Sequence, residues 1–327
     1  MLGYVIRRLM LIPLILAAVN FLGFAYAHYA RPIRAARTPY IRAVEAGPLW
    51  IAYNRYLEDL SRFNFNIEVS VPGERDVVVP LNDALKQAII ASVGLMALVL
   101  MLSVLLGWII GTRAVQTDPP GVKRWLNIFS TLGMAMPSFY IGSLFILVSI
   151  FYILWHEPGT PPPLPLSGYG WDLHLVFPAL ALMARPTVQI AQVVANHLSS
   201  ELGKQYIIAA RSLGHSWRSI RNRLALRNIL APTLLTLAGL FRFLFGEQVL
   251  IEWLFKWPGL GRLLAWTLVP PQLTSTRGSP LFLHPHVVAT VLTIVAAMFL
   301  LSDFCVSLAV QSLDPRARQS EGIVGEK

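Results

Sequence analysis

Four ionisable side chains, Arg185, Arg242, Glu247 and Asp303, fall inside stretches that are otherwise almost wholly apolar. A charge in such surroundings is costly and is kept where it faces a cavity or a partner of opposite charge. The four are therefore candidates to line a polar path through an apolar layer. Arg242 and Glu247 lie five residues apart, too far round a helix to pair well, so each is expected to meet a different helix or subunit. Structural ion pairing, or snorkelling of a long side chain to an interface, is the competing account. Other chemistry is sparse. His284 and His286 flank Pro285 without a third metal ligand, which points to a surface role and no metal site. The one cysteine, Cys305, lies in an apolar run and excludes both a disulfide framework and a thiol metal site. No G-x-x-x-x-G-K-[S/T] phosphate loop occurs, so nucleotide hydrolysis is not expected in this chain.

The elements that must hold these charges are membrane-spanning. Of 327 residues, 55% are hydrophobic and 13% charged, a balance too apolar for a soluble domain of this length. Runs such as 88–110 and 287–301 carry no charge, and roughly 20 apolar residues cross a hydrocarbon layer about 30 Å thick. Hydropathy places six helices, near 7–27, 84–112, 126–154, 174–196, 229–250 and 286–310. Pro137, Pro178, Pro186 and Pro232 mark kinks or helix starts, which spanning helices tolerate, as the first does Pro13 and Asn20.

The net charge of +10 could suggest nucleic acid, but the basic residues follow membrane topology instead. Arg7, Arg8, Arg113, Lys123, Arg124, six residues in 197–228, Arg316, Arg318 and Lys327 fall on one side. The short loops opposite hold only Lys256, Arg262 and Arg277, so the positive-inside rule places both termini in the cytoplasm. The longer segment 28–83 carries seven basic and seven acidic residues and takes its outer position from its neighbours. Arg7, Arg8, the apolar stretch and Ala25-Tyr26-Ala27 also fit a cleavable signal peptide, which would leave the rest of the topology unchanged.

The chain thus divides into a first transmembrane helix, 1–27; an extracytoplasmic segment, 28–83; a five-helix core, 84–310, with a cytoplasmic loop at 197–228; and a tail, 311–327. The outer segment combines a helical stretch, Leu49 to Leu60, with strand-like runs Asn66 to Val71 and Asp76 to Val79 around Pro72-Gly73, and is expected to form a small cap. The tract from Pro158 to Pro165 reads as an extended outer loop. No internal repeat is evident, which weighs against transporters built from inverted repeats.

The loop after the fourth helix reads as helix, break, helix. Gly214 suits a helix C-terminus because it can take positive φ, and Ser216 suits the N-cap of the second helix. Trp217, Ile220 and Leu224 share a face at i, i+3, i+7 spacing, apart from Arg218 and Arg221. Small Ala209 and Ala210 beside Gly214 would admit another protein close to the backbone. Spacing alone leaves two accounts, a docking helix or a basic loop that only sets topology.

Tyr206-Ile-Ile-Ala-Ala-Arg-Ser-Leu-Gly214, with Pro232 eighteen residues on, resembles the EAA loop of ABC importer permeases in the dipeptide and oligopeptide branch. Met136-Pro-Ser-Phe139, the stretch from Glu252 to Arg262 around Trp257-Pro258-Gly259-Leu260-Gly261, and Leu313-Asp-Pro-Arg316 agree with that branch in the same order. The resemblance implies an all-α integral membrane fold of the type I importer kind. It also implies a subunit that pairs with a second permease, lines half a translocation path, receives two ATPase subunits and meets an extracytoplasmic solute-binding protein. The setting would be a bacterial inner membrane. ATP and Mg would be bound by the ATPase subunits, leaving this chain without cofactor, metal or catalytic residue. Tyr206, Ala209, Ala210 and Gly214, flanked by Arg211 and His215 and followed by Pro232, would form the coupling contact. Trp257, Pro258, Gly259 and Gly261 would shape an outer gate or meet the binding protein.

Departures from the family pattern are few and local. Gln205 stands where the branch has an acidic residue, Ile208 occupies the position of the namesake glutamate, and Arg242, Glu247 and Gln248 replace small residues. Asp303 and Ser307 blur the usual acidic placement in the last helix. Two other classes compete: a secondary transporter with Glu247 and Asp303 as ion-linked carboxylates, and a non-transporting scaffold for a cytoplasmic ATPase.

Overall fold

The computed structural model describes residues 2–37, 47–62, 67–70, 78–157, 159–268 and 282–313. In chain order these form α1 (Leu2–Arg37), α2 (Leu49–Ser61), β1 (Glu68–Ser70), β2 (Val78–Pro80), α3 (Leu81–Arg113), β3 (Val115–Thr117), β4 (Pro120–Val122), α4 (Arg124–Ala135), α5 (Ser138–Trp155), α6 (Val176–Leu202), α7 (Gln205–Ser212), α8 (Trp217–Ser219), α9 (Leu226–Leu254), α10 (Leu260–Leu268) and α11 (Pro285–Leu313). Five spans within them are long and apolar enough to cross a membrane: Arg8–Ala36, Leu81–Arg113, Ser138–Trp155, Leu173–Leu202 and Pro285–Cys305.

The chain divides into two compact units. One comprises residues 1–93 and 256–301, and its core gathers Phe24, Tyr53, Tyr56, Leu81, Leu85, Leu260, Leu263 and Val287. Asn20 lies at the centre of a polar network in this unit. Its Nδ2 donates to Tyr56 Oη at 2.7 Å and Thr293 Oγ1 at 2.9 Å, and its Oδ1 accepts from Tyr53 Oη at 3.1 Å. The asparagine that hydropathy treats as a weakness of α1 is thus what ties α1 to α2 and α11, because a buried amide needs partners and these hydroxyls supply them. α1 also continues ten residues past 27, to Arg37; hydropathy sees only the apolar part of a helix whose backbone bonds continue beyond it.

The other unit comprises 94–255 and the chain from 302 onward. Here α6 is the central element, with Leu198, Leu202, Ile207, Ile220, Ala225 and Ile229 forming one core. α3 approaches α6 closely at Gly107 and Gly111, one turn apart. A Cβ on Gly111 would stand 2.6 Å from Ala191 O and 2.8 Å from Val194, and one on Gly107 2.7 Å from Ile190. Small residues four apart let helix backbones meet where no hydrophobic effect drives them together.

The expected third helix, 126–154, is two elements. Met136 is extended and Pro137 opens α5, since proline disfavours the α conformation of the residue before it. A β3–β4 hairpin at 115–122, paired Val115 to Val122, stands where the sequence suggested only a basic loop. β1 and β2 pair Glu68 to Pro80 through Ser70 to Val78, β1 inside the first strand-like run and β2 extending one residue past the second. The turn between them, Pro158, Arg277 and the Leu313 motif beyond its first residue lie outside the described residues, as does the tail from 314.

Candidate functional site

The segment from Glu201 to Ile229 follows from local sequence. Gly203 and Lys204 end α6 and allow α7 to start at Gln205. α7 stops in a double-bonded C-cap: Gly214 N donates to Arg211 O at 3.0 Å and His215 N to Ala210 O at 3.2 Å, with Gly214 at φ +86°. That is the arrangement in which a left-handed residue satisfies two terminal carbonyls, and glycine takes it without a Cβ penalty. Ser216 Oγ then accepts from Ser219 N at 3.3 Å and caps α8.

Between α8 and α9 the chain makes a π turn, Ile220–Ala225. Its wider repeat brings Ile220 and Ala225, five apart, onto the same core, while Leu224 turns outward. The face expected to join Trp217, Ile220 and Leu224 is therefore corrected: i, i+7 spacing assumes 3.6 residues per turn, and the π turn breaks that count. Ala210 is corrected as well. It packs inward with Ile207, leaving Ala209, Ile208 at 62% exposure and Leu213 at 80% on the outer face. Gly214 opens on empty space, His215 is exposed, and Pro232 is built into α9.

Two polar clusters brace this segment. At its start the Glu201 carboxylate, 6% exposed, gathers donors from α7, α9 and the turn between α6 and α7. Tyr206 Oη donates to Oε1 at 2.6 Å, Asn228 Nδ2 to the same oxygen at 3.0 Å, and Lys204 Nζ lies 2.5 Å from Oε2. Asn228 Nδ2 also donates to Tyr206 Oη at 3.1 Å. Desolvation and then the adjoining carboxylate push the Tyr206 hydroxyl up to about 12, so it remains a donor at every physiological pH. At the far end Arg211 Nη1 reaches Asp118 Oδ2 at 3.0 Å, and its guanidinium lies 4.6 Å from the Trp217 ring centroid. Arg211 thus clasps the β3–β4 hairpin instead of standing free beside Gly214. Glu201, Asn228 and Asp118 were not singled out in the sequence; the i, i+3 pair Glu201 and Lys204 was the one available signal.

Of the four ionisable candidates, Arg185 on α6 and Glu247 on α9 meet, Nη1 to Oε1 at 3.5 Å. Arg185 also lies 3.9 Å from the centroid of the Phe243 ring. Arg185 Nε and Glu247 Oε2 are buried without a hydrogen-bond partner among the described residues. Glu247 so meets a different helix, as expected. The side chain of Arg242 lies outside the described residues. Asp303 is on α11, where Ser307 Oγ donates to its backbone carbonyl at 2.7 Å.

In the other unit the Trp257 turn is an anchor. Trp257 is fully buried and its Nε1 donates to Ala91 O at 3.1 Å, while Leu260 N donates to Ser92 Oγ at 2.9 Å. Gly259 and Gly261 are buried too, Pro258 partly, so the ring has no surface to offer a binding protein. His284 and His286 are partly buried, ring centroids 5.3 Å apart, which corrects their expected surface role. Desolvation, then Arg31 and His286, pushes His284 down to about 3. No group of three or more metal-ligating side chains occurs among the described residues.

Residues 103–319 match the family described as binding-protein-dependent transport system inner membrane component. The chain belongs to that family. A probable peptide ABC transporter permease, y4tP, of Sinorhizobium fredii is 28% identical over 83% of this chain and 81% of its own length. The dipeptide transport system permease DppB of Lactococcus lactis subsp. cremoris is also 28% identical, over 65% of this chain and 66% of its own. The oligopeptide transport system permease AppB of Bacillus subtilis is 23% identical over 97% and 99%. The permease is a multi-pass inner-membrane subunit of an ABC importer, and its work is transport, not catalysis. As such it operates with ATPase and solute-binding subunits.

Proposed function

We propose that this permease forms half of a translocation path for peptides, paired with a second, non-identical permease and driven by two ATPase subunits that dock on α7 and its C-cap. The observation that carries this is the 205–216 segment. Its ends are held by Glu201 and Arg211, its outer face bears Ile208, Ala209 and Leu213, and Gly214 leaves the backbone open to a partner. Docking there biases a switch between inward and outward access.

In this reading α9 is the sixth spanning helix. At about 1.5 Å per residue its 29 residues reach well beyond a hydrocarbon core, and Glu247 and Glu252 on it turn inward. Both termini are cytoplasmic, 28–83 forms the outer cap, and α1 is retained, since Asn20 and Phe24 belong to the core. A solute-binding protein delivers cargo outside, and ATP with Mg is held by the ATPases. The long Arg185–Glu247 contact suits exchange for the carboxylate and ammonium of a zwitterionic peptide.

The test is affinity purification of the tagged chain from native membranes in mild detergent, beside Gly214→Glu. Expected are a second permease and ATPase subunits with the native chain, and loss of the ATPases from the variant. A native chain that purifies alone and moves solute into vesicles without ATP would sink the proposal and return attention to an ion-driven transporter.

A further inference from the structure

Glu201 stands at the junction of every element the coupling segment connects: it is on the last turn of α6, it accepts from Tyr206 in the first turn of α7, and it accepts from Asn228 in the first turn of α9. α6 and α9 meet again at Arg185 and Glu247. Those contacts lie sixteen residues earlier on α6 and nineteen later on α9, so the two helices run antiparallel, and the two levels are about 25 Å apart at 1.5 Å per residue. The coupling segment is otherwise a short helix between glycines, Gly203 and Gly214. Without a rigid tie, a push on α7 would be absorbed by rotation at Gly203 and would not reach the helices.

We infer that Glu201 is a positioning residue that locks α7 to the α6–α9 pair, so that movement of the ATPases is transmitted to the helices instead of being spent in the loop. The inference rests on the importer reading above. Glu201 touches neither nucleotide nor cargo in this account; it acts through Tyr206 and Asn228. Its geometry fits a joint better than a docking contact, because the carboxylate is buried and its donors come from its own chain. Glu201→Gln keeps an acceptor for Tyr206 and Asn228 and loses only the pairing with the half-exposed Lys204. Glu201→Ala loses all three bonds. Tyr206→Phe removes a single hydroxyl and keeps the ring.

The experiment is hydrogen–deuterium exchange on the complete detergent-solubilised importer, with and without ATP plus orthovanadate, followed at 195–202, 205–212 and 226–233. In the native complex nucleotide trapping should change exchange in all three. In Glu201→Ala the ATPases should still co-purify and 205–212 should still respond, while the response at 195–202 and 226–233 falls about tenfold, the scale set by losing charge-assisted bonds. Glu201→Gln should restore most of it, and Tyr206→Phe should fall between. A response in Glu201→Ala equal to the native one overturns the inference. So does loss of the ATPases at normal chain level, which would make Glu201 part of the docking contact. Should Glu201→Ala not accumulate, Tyr206→Phe decides, a native-like response refuting the joint. If the native complex itself lacks ATPases, it is the coupling-surface reading that fails, before any variant is compared.

Discussion

Helices α6 and α9 are joined by two polar contacts of opposite character. At Glu201 each carboxylate oxygen has a donor, and the lengths of 2.5–3.0 Å are those of strong charged bonds. At Arg185 and Glu247 a single 3.5 Å contact leaves a buried nitrogen and a buried oxygen without partners among the described residues. A satisfied cluster stabilises one arrangement; a half-satisfied one costs free energy that a ligand with matching groups can recover. The first site is thus fully bonded and the second only partly, on the same two helices.

Glu201→Ala should have the largest effect on stability, about 3 kcal/mol, because it removes the charged acceptor shared by Tyr206, Asn228 and Lys204. Thermal unfolding in detergent measures it, with Glu201→Gln much milder; equal loss in both would show that charge, not bonding, holds the joint. Gly111→Leu should cost about 2 kcal/mol by forcing α3 from α6. That separates apolar packing of α6 from its polar ties, and an unchanged melting temperature would refute the close approach.

The double change Arg185→Met with Glu247→Gln reverses the pattern. Stability should stay within about 1 kcal/mol, since removing both members of a buried pair leaves no stranded charge, while dipeptide uptake falls about tenfold or more. Native uptake in that variant would reduce the pair to a structural contact and erase the contrast. Asp118→Asn should matter least, about 0.5 kcal/mol, because Arg211 and Asp118 are both more than half exposed. A large loss there would mean that the hairpin clasp, not Glu201, is the principal brace.

Much of the helical plan was legible because spanning segments must be long and apolar, and a local average suffices to find them. Gly214 and Ser216 were legible for a related reason: caps are set by the residue at one position and its immediate neighbours. Leu224 was misread because the π turn it belongs to is a response to packing, not to its own sequence. The anchoring of Trp257 was not legible because an aromatic beside Pro-Gly reads equally as a surface turn or an anchor, and burial against Ala91 decides between them.

The sequence by itself determined an apolar, charge-sorted helical membrane chain with a capped segment between α6 and α9, since hydropathy, charge asymmetry and turn chemistry are properties of neighbouring residues. Only the tertiary structure decided which polar groups meet. Tyr206, Asn228 and Glu201 are separated by up to 27 residues, and Arg185 and Glu247 by 62. Pairing over such distances is chosen by how helices pack, and no local pattern encodes it.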